Sequence, residues 1–162
     1  MKRAITKLVL IAAIVAMVFS IPTARYGAAA LPVVHAQVTD GGCSLASLTG
    51  RYAVGAAGTV VTQLPGLPAP PFPFGEVGID TFNGMGSFSG QVTVNLGGMV
   101  APVSVTGAYE INADCTGTRR FNTSLGLVGH DAFVVTGGGR EVIATETDPF
   151  AVVQRTLKRL DD

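Results

Sequence analysis

A strict alternation of apolar and polar residues is the feature that most limits what this chain can fold into. In SFSGQVTVNL, residues 87–96, every second residue from Phe88 is apolar or glycine and the residues between are polar, and VSVTGAYEI, residues 103–111, repeats the pattern. Successive side chains of a β-strand point to opposite sides, so this period predicts strands with one buried face. Helical periodicity is almost absent after residue 36, and the fold class is predicted to be all-β.

Eight strands are predicted in this way, separated by short turns rich in glycine, asparagine and aspartate. They cover residues 51–64, 76–82, 87–96, 103–111, 118–125, 132–136, 141–147 and 151–160. Short connections favour antiparallel neighbours, and closing the sheet on itself removes exposed edges. We therefore expect an antiparallel up-and-down barrel of about eight strands. A sandwich of two sheets is the alternative.

The segment PGLPAPPFPFG, Pro65 to Gly75, interrupts this pattern. Proline cannot donate a hydrogen bond to a strand ladder, so the segment is predicted to be a long, stiff loop. Two interpretations are equally favoured: a lid over one mouth of the barrel, or an extended linker.

The first 36 residues have the pattern of a secretory signal peptide with a helical apolar core. Basic residues precede an apolar run from Leu8 to Phe19, and small residues before Gln37 suit cleavage there; an earlier site after Ala30 is the alternative. The chain is thus divided into a signal peptide, 1–36, and a single domain, 37–162, placed in the secreted, periplasmic or cell-envelope compartment. An uncleaved N-terminal anchor is the competing interpretation; with cleavage, no stable transmembrane span is expected.

Cleavage changes the charge balance of the chain. It removes four of the 11 basic residues and none of the 11 acidic ones, which leaves a formal net charge of about −4. The remaining basic residues form no stripe, so nucleic acid is not expected as a partner. The sequence leaves the oligomeric state open.

Cys43 and Cys115 are the only cysteines of the chain. In an oxidising compartment such a pair is expected to form a disulfide, and the chain-entropy model gives a loop of this size on the order of 4 kcal/mol of stabilisation. A reactive or metal-binding thiol is the alternative. Without a CxxC spacing, and with His130 the only histidine after residue 36, the pattern does not suit a zinc site. We predict neither a metal nor a cofactor.

Three residues are predicted to project into the barrel lumen: Tyr52, Tyr109 and Arg119. Both tyrosines lie on the apolar faces of their strands, where phenol groups in an apolar interior would suit a small-molecule pocket. Plain core packing, with each hydroxyl bonded to the backbone, is the competing interpretation. Arg119 and Arg120 face opposite sides of one strand, and an inward arginine needs a carboxylate or a ligand as partner.

Other polar residues are predicted to lie on the surface. The carboxylates could form an acid and base pair for glycoside hydrolysis only if two of them met across a cleft, and their spacing does not require that; they are Glu76, Asp80, Glu110 and Asp114. His130 and Asp131 are adjacent and would face opposite ways on a strand, so a solvated turn is favoured over a catalytic relay. No catalytic residue is predicted.

The chain resembles a group of small exported bacterial proteins whose domain is similar to the allene oxide cyclase barrel, a calycin-like fold. The resemblance lies in CSLASLTGRYAV, FNGMGSFSG and GAYEINADCTGT, and extends from Cys43 to about Leu160. It implies a closed barrel of eight antiparallel strands with a structural cysteine pair. Members with known chemistry hold an apolar substrate in the lumen for cyclisation, but no catalytic residue of theirs can be matched here.

These observations lead to one main hypothesis and three alternatives. The main one is a non-enzymatic exported barrel that binds a small hydrophobic molecule or serves as an envelope-associated module. A cyclase-like enzyme would require tyrosine hydroxyls or an unpaired arginine aimed at a deep pocket. A structural or adhesive surface protein would require an exposed apolar patch. An outer-membrane barrel is disfavoured by the absence of tryptophan.

Overall fold

The structure is a computed structural model that describes residues 42–161; the predicted signal peptide and its helix lie outside the described residues. A short 3₁₀ helix, Leu45–Ser47, precedes eight β-strands. The strands are β1 (Thr49–Val60), β2 (Phe72–Asn83), β3 (Ser87–Leu96), β4 (Met99–Ile111), β5 (Thr116–Thr123), β6 (Val128–Thr136), β7 (Glu141–Glu146) and β8 (Ala151–Arg159).

The eight strands form one closed barrel in which each strand pairs with its neighbours in sequence order. Every pair is antiparallel, and β8 returns to β1 with Leu157 opposite Val54. The predicted up-and-down barrel is therefore confirmed, and the two-sheet sandwich is wrong. Because strands that are consecutive in sequence are neighbours in the barrel, short hairpin turns are enough to connect them.

The proline-rich loop is shorter than predicted. We expected a loop from Pro65 to Gly75, whereas β2 already begins at Phe72 and includes Pro73. Pro73 is tolerated because it pairs only with β1, where it lies opposite Thr59, and the ladder with β3 starts one residue later at Phe74. On the β3 side the Pro73 carbonyl accepts from the Gly97 N–H at 2.9 Å, so the missing N–H of proline costs at most one hydrogen bond, at the end of the ladder.

Alternate residues of every strand point into the barrel, as the sequence pattern predicts. On β5, for example, Gly117, Arg119 and Phe121 are buried while Thr118 and Arg120 between them are exposed. Inward glycines make room for large rings: a Cβ added at Gly129 would collide with the ring of Phe121. The interior is thus filled by aromatic rings over glycines, together with valines and leucines.

One end of the barrel, which we call the closed end, is covered by the segment before β1. Leu48 follows the 3₁₀ helix and is fully buried. Cys43 forms a disulfide with Cys115, which lies in the β4–β5 turn 72 positions along the chain. The backbone N–H of Cys43 donates to the Ala113 carbonyl at 3.2 Å. The predicted cysteine pair is confirmed, and it holds this covering segment to the barrel.

Candidate functional site

The interior of the barrel has three zones along its axis. Aromatic side chains fill the closed end. A group of six charged side chains, which we call the ionic layer, crosses the middle. An apolar cavity occupies the opposite end, which we call the open end. The ionic layer consists of Glu76, Asp80, Arg119, Asp131, Glu146 and Arg155.

Strand register places three members of the ionic layer side by side. Arg119 on β5 lies directly opposite Asp131 on β6, and Asp131 in turn lies opposite Glu146 on β7. Directly opposed residues of paired strands project to the same face, so these three side chains meet inside the barrel. Asp80 reaches the same layer from β2 across the lumen.

Arg119 is held by two carboxylates. Its Nη1 donates to Asp80 Oδ2 at 2.9 Å, while Nε and Nη2 both donate to Asp131 Oδ2, Nε at 3.0 Å. The side chain of Arg119 is only 5% exposed, and that of Asp131 is fully buried. Two carboxylates satisfy three of the five guanidinium donors, which is how a buried arginine is normally accommodated.

Arg155 on β8 completes the layer. Its Nη1 donates to Asp131 Oδ1 at 2.7 Å and to Glu146 Oε2 at 2.9 Å, and its Nε lies 3.5 Å from Glu76 Oε2. Ala56 on β1 lies between Arg155 and Glu76 in the register, and its small side chain leaves the guanidinium a path to that carboxylate. Asp131 therefore bridges the two arginines.

Aromatic rings support both guanidinium groups. The Arg119 guanidinium carbon lies 5.0 Å from the ring centre of Phe88 and 5.4 Å from that of Phe121, and Arg155 lies 5.1 Å from Phe121. These distances are within the range of cation–π attraction. Phe121 thus orients both arginines while its ring also lines the cavity.

The ionic layer contains four carboxylates and two guanidiniums, a formal excess of two negative charges. Burial raises the pKa of Asp80 and of Glu146, even though Arg119 and Arg155 respectively oppose the shift. Burial alone would lower the pKa of Arg155, but the attraction of its carboxylate partners outweighs this and raises it. Burial therefore favours the protonated, neutral forms of the Asp80 and Glu146 carboxyl groups.

Asp80 carries a hydrogen-bond acceptor that is not used. Its Oδ2 accepts from Arg119, but Oδ1 is buried and has no hydrogen-bond partner among residues 42–161. Gly90 lies opposite Asp80 on β3, and a Cβ there would collide with Oδ1. The sequence thus makes space at Gly90 for a carboxylate that a larger residue would displace.

The cavity lies between the ionic layer and the open end. Its walls are apolar side chains from seven strands and three loops, and its floor includes Asp80, Arg119 and Arg155. The centre of a water molecule can reach about 80 Å³ of it. That space is enough for a short alkyl chain, because one water requires only about 10–15 Å³ on this measure. Apolar walls above a few convergent polar groups are typical of small-molecule sites.

The segment between β1 and the proline-rich loop contributes to the cavity wall. Leu64 lines the cavity, and the backbone N–H groups of Val61 and Thr62 donate to the carbonyl of Phe150, another wall residue. Gln63 Nε2 donates to the carbonyls of Leu64 and Leu67 at 3.0 and 3.2 Å, which folds the loop on itself.

The two tyrosines point into the barrel but do not line the cavity. Tyr52 is fully buried and donates to the carbonyl of Gly139 at 2.6 Å. Tyr109 donates to the carbonyls of Leu48 and Leu45 at 3.0 and 3.1 Å. Burial raises the pKa of both phenols, so they remain donors at neutral pH. Their hydroxyls secure the closed end; of the three predicted lumen residues, Arg119 alone reaches the cavity.

The predicted surface residues divide into two groups. Glu110 and Asp114 are exposed, as expected, whereas Glu76 and Asp80 are inside the ionic layer. The expectation of a surface position is wrong for those two because they occupy inward positions of β2. The members of the ionic layer that the sequence analysis did not select are Glu146 and Arg155, and Asp131, which was assigned to a turn.

His130 and Asp131 do face opposite sides of β6. The His130 ring is outside, with Nδ1 3.1 Å from both carboxylate oxygens of Asp148, and Asp131 is inside. The predicted solvated turn is wrong, because both residues belong to a strand. The signal that could have identified Asp131 and Arg155 is that each stands at an apolar position of an alternating strand, between Gly129 and Phe133 or between Val153 and Leu157.

No protein-family model and no curated protein matches this chain. The resemblance to the allene oxide cyclase barrel therefore stays a prediction. Within the described residues 42–161, no helix has the length and apolar character needed to cross a membrane.

Proposed function

We propose that this protein is an exported, disulfide-bonded barrel that binds a small, mainly apolar molecule in the cavity at its open end, without catalysing its conversion. The observation that carries this proposal is the combination of apolar walls with a charged floor. Wall residues such as Val94, Val103 and Val153 favour an apolar body, while the buried polar groups below them would orient a polar end. The Cys43–Cys115 bond supports export, because such bonds persist in oxidising compartments.

The alternative of a cyclase-like enzyme gains no support from the described geometry. It would require tyrosine hydroxyls or an unpaired arginine directed at the cavity. Tyr52 and Tyr109 instead donate to backbone carbonyls at the closed end, and Arg119 is paired with two carboxylates. A binding role needs none of these groups to be reactive.

The proposal is tested by titration with hexanol, which has a short alkyl chain and an uncharged head. Isothermal calorimetry on the oxidised protein should show saturable binding. Ala151→Phe should abolish it, because Ala151 is buried in the cavity wall and a phenyl ring there fills the space. Val152→Phe is the matched control, since Val152 is the next residue of β8 and is 67% exposed.

Two results would contradict the proposal. One is an absence of saturable hexanol binding to the unmodified protein. The other is unchanged binding in Ala151→Phe, which would place hexanol elsewhere on the molecule. Unchanged binding in Val152→Phe together with loss in Ala151→Phe locates the site inside the barrel.

A further inference from the structure

We propose that the outside of the closed end binds a phosphate group, held by Arg51, Arg140 and Arg159. These three side chains border one open depression, which we call the arginine depression. It shares no lining residue with the apolar cavity of the open end. The inference therefore does not depend on the binding of an apolar molecule in the lumen.

Strand register brings two of these arginines together. Arg159, the last residue of β8, donates its backbone N–H to the carbonyl of Arg140 at 2.8 Å, so the two residues are directly opposed. Directly opposed residues project to the same face, and like charges at such positions are destabilising. The adjacent pair has opposite charges: Lys158 opposes Glu141, and their charged groups lie 3.8 Å apart. The chain thus places two like charges where opposite charges would be more stable.

The positive charge of the arginine depression is not balanced by its own residues. Arg51 on β1 joins the opposed pair, and Asp161 is the one carboxylate among the described residues that border the depression. None of the three arginines forms an ion pair with another residue of the described range, 42–161. Three positive charges against one negative leave a formal excess of two. Such a local excess attracts anions.

Two glycines leave room in the depression. Gly50 has a φ of 96°, and a Cβ there would lie 3.7 Å from Nη2 of Arg159, so this guanidinium group lies against the glycine. Gly138 has open space on its side-chain position, and the next residue, Gly139, accepts from the Tyr52 hydroxyl, which fixes the turn to the closed end. The centre of a water molecule can reach about 360 Å³ of the depression. One water requires about 10–15 Å³ on this measure, so an oxyanion and part of its parent molecule fit.

Three guanidinium groups suit a phosphate better than a carboxylate. Each guanidinium offers a planar fork of N–H donors that matches a pair of acceptor oxygens. A carboxylate has two oxygens and is satisfied by one fork, whereas a phosphate monoester has three terminal oxygens. Its charge of about −1.5 to −2 at pH 7 also matches the formal excess of the depression. The ligand class is therefore a phosphate monoester, either soluble or at the head of a lipid.

The test is titration of the oxidised protein with inorganic phosphate, and with acetate at the same ionic strength. Amide NMR spectra should show saturable shifts at Gly50 and Gly138, which border the depression. Phosphate should bind about tenfold more tightly than acetate, because one further charge-assisted hydrogen bond contributes about that factor. Equal affinity for the two anions, or no saturable phosphate binding, would overturn the inference. This comparison needs no variant.

Arg140→Gln locates the site, because it removes one charge and one donor fork. We expect phosphate to bind about tenfold more weakly. Arg120→Gln is the matched control, since Arg120 is exposed on β5 outside the depression, and its affinity should be unchanged. Without phosphate, Arg140→Gln should resist urea at least as well as the unmodified protein, because repulsion from Arg159 is removed. Unchanged affinity, or a clear loss of stability, in Arg140→Gln would contradict the inference.

Vesicle flotation distinguishes the two sources of the phosphate group. Vesicles of phosphatidylcholine with phosphatidic acid present a phosphate monoester at a lipid surface, and vesicles of phosphatidylcholine alone do not. Flotation of the protein with the first kind only, lost in Arg140→Gln and kept in Arg120→Gln, assigns the group to a lipid head. Binding of inorganic phosphate without flotation assigns it to a soluble ester. Either result supports a phosphate site at the closed end.

Discussion

The closed end and the open end of this barrel are built from different contacts. At the closed end, Tyr52 and Tyr109 donate to backbone carbonyls, Leu48 is fully buried and a disulfide holds the covering segment in place. At the open end, apolar side chains surround unfilled space, and Leu125 at the mouth is 47% exposed. The closed end thus bonds its tyrosine hydroxyls within the chain, whereas the open end leaves apolar side chains exposed to the cavity.

The ionic layer lies between these ends and separates them. Its six side chains cross-link β2, β5, β6, β7 and β8 at mid-height, so the cavity floor has a fixed position. The comparison indicates that stability is concentrated at the closed end and in the ionic layer, whereas ligand affinity depends on the open end. Four substitution experiments can break or sharpen this division.

Asp131→Ala should have the largest effect on stability. Removal of this carboxylate leaves Arg119 and Arg155 buried without the group that bridges them, and loss of one partner from a buried ion pair costs about 3–5 kcal/mol. Urea unfolding measures the loss. Glu110→Ala, at an exposed position, should change the free energy of unfolding by less than about 0.5 kcal/mol. A comparably small effect of Asp131→Ala would show that the layer contributes little to stability.

Replacement of both cysteines, Cys43→Ser with Cys115→Ser, should cost about 2–4 kcal/mol, since the unfolded chain is no longer constrained by the bond. Urea unfolding of the double variant, compared with the oxidised protein, measures this loss. Below the unfolding transition, its affinity for hexanol should be unchanged. A parallel loss of affinity would mean that the two ends are coupled, against the division described above.

Asp80→Asn should alter how stability depends on pH. Burial raises the pKa of Asp80 in the folded state, although Arg119 and Arg155 oppose this shift and Glu76 adds to it. The folded protein then binds this proton more tightly than the unfolded chain does. The resulting stabilisation is fully present below the unfolded pKa and is lost as pH rises through the raised folded pKa.

Urea unfolding of both proteins between about pH 4 and 8 should therefore show a smaller decline in Asp80→Asn. The readout is the difference between the two proteins, because groups distant from Asp80 contribute equally to both. Asp114 is one of these: hydrogen bonds from Thr116 lower its pKa, so its contribution is lost as pH falls. Parallel curves for the two proteins would mean that Asp80 does not titrate differently in the folded state.

Leu125→Ser should have the smallest effect on stability, within about 0.5 kcal/mol, because Leu125 is largely exposed at the mouth of the cavity. The affinity for hexanol should fall by about twofold, since the ligand loses apolar contact there. Calorimetry and urea unfolding on the same preparation measure both quantities. A clear loss of stability with unchanged affinity would assign Leu125 to the structural part of the barrel.

The alternation in the sequence divides each strand into an apolar and a polar face, but it leaves open which face points into the barrel. Arg119 and both tyrosines are candidates for the lumen on this pattern, and all three are buried in the structure. The same pattern also contains Asp131 and Arg155 at inward positions, but a charged residue there is more often a sign of a turn or of a surface. Sequence reasoning therefore assigned Asp131 to a turn and left Arg155 unexamined.

The sequence by itself predicted about eight strands, antiparallel neighbours and a cysteine pair, from local periodicity, short turns and the count of two cysteines. It left a two-sheet sandwich and a reactive thiol as alternatives. Only the tertiary structure decided that Asp80 on β2 meets Arg119 on β5, and that the tyrosine hydroxyls bond Gly139 and Leu48 at the closed end. Such contacts join residues that are distant in sequence. They depend on strand register and on closure of the barrel, and no local pattern encodes either of these.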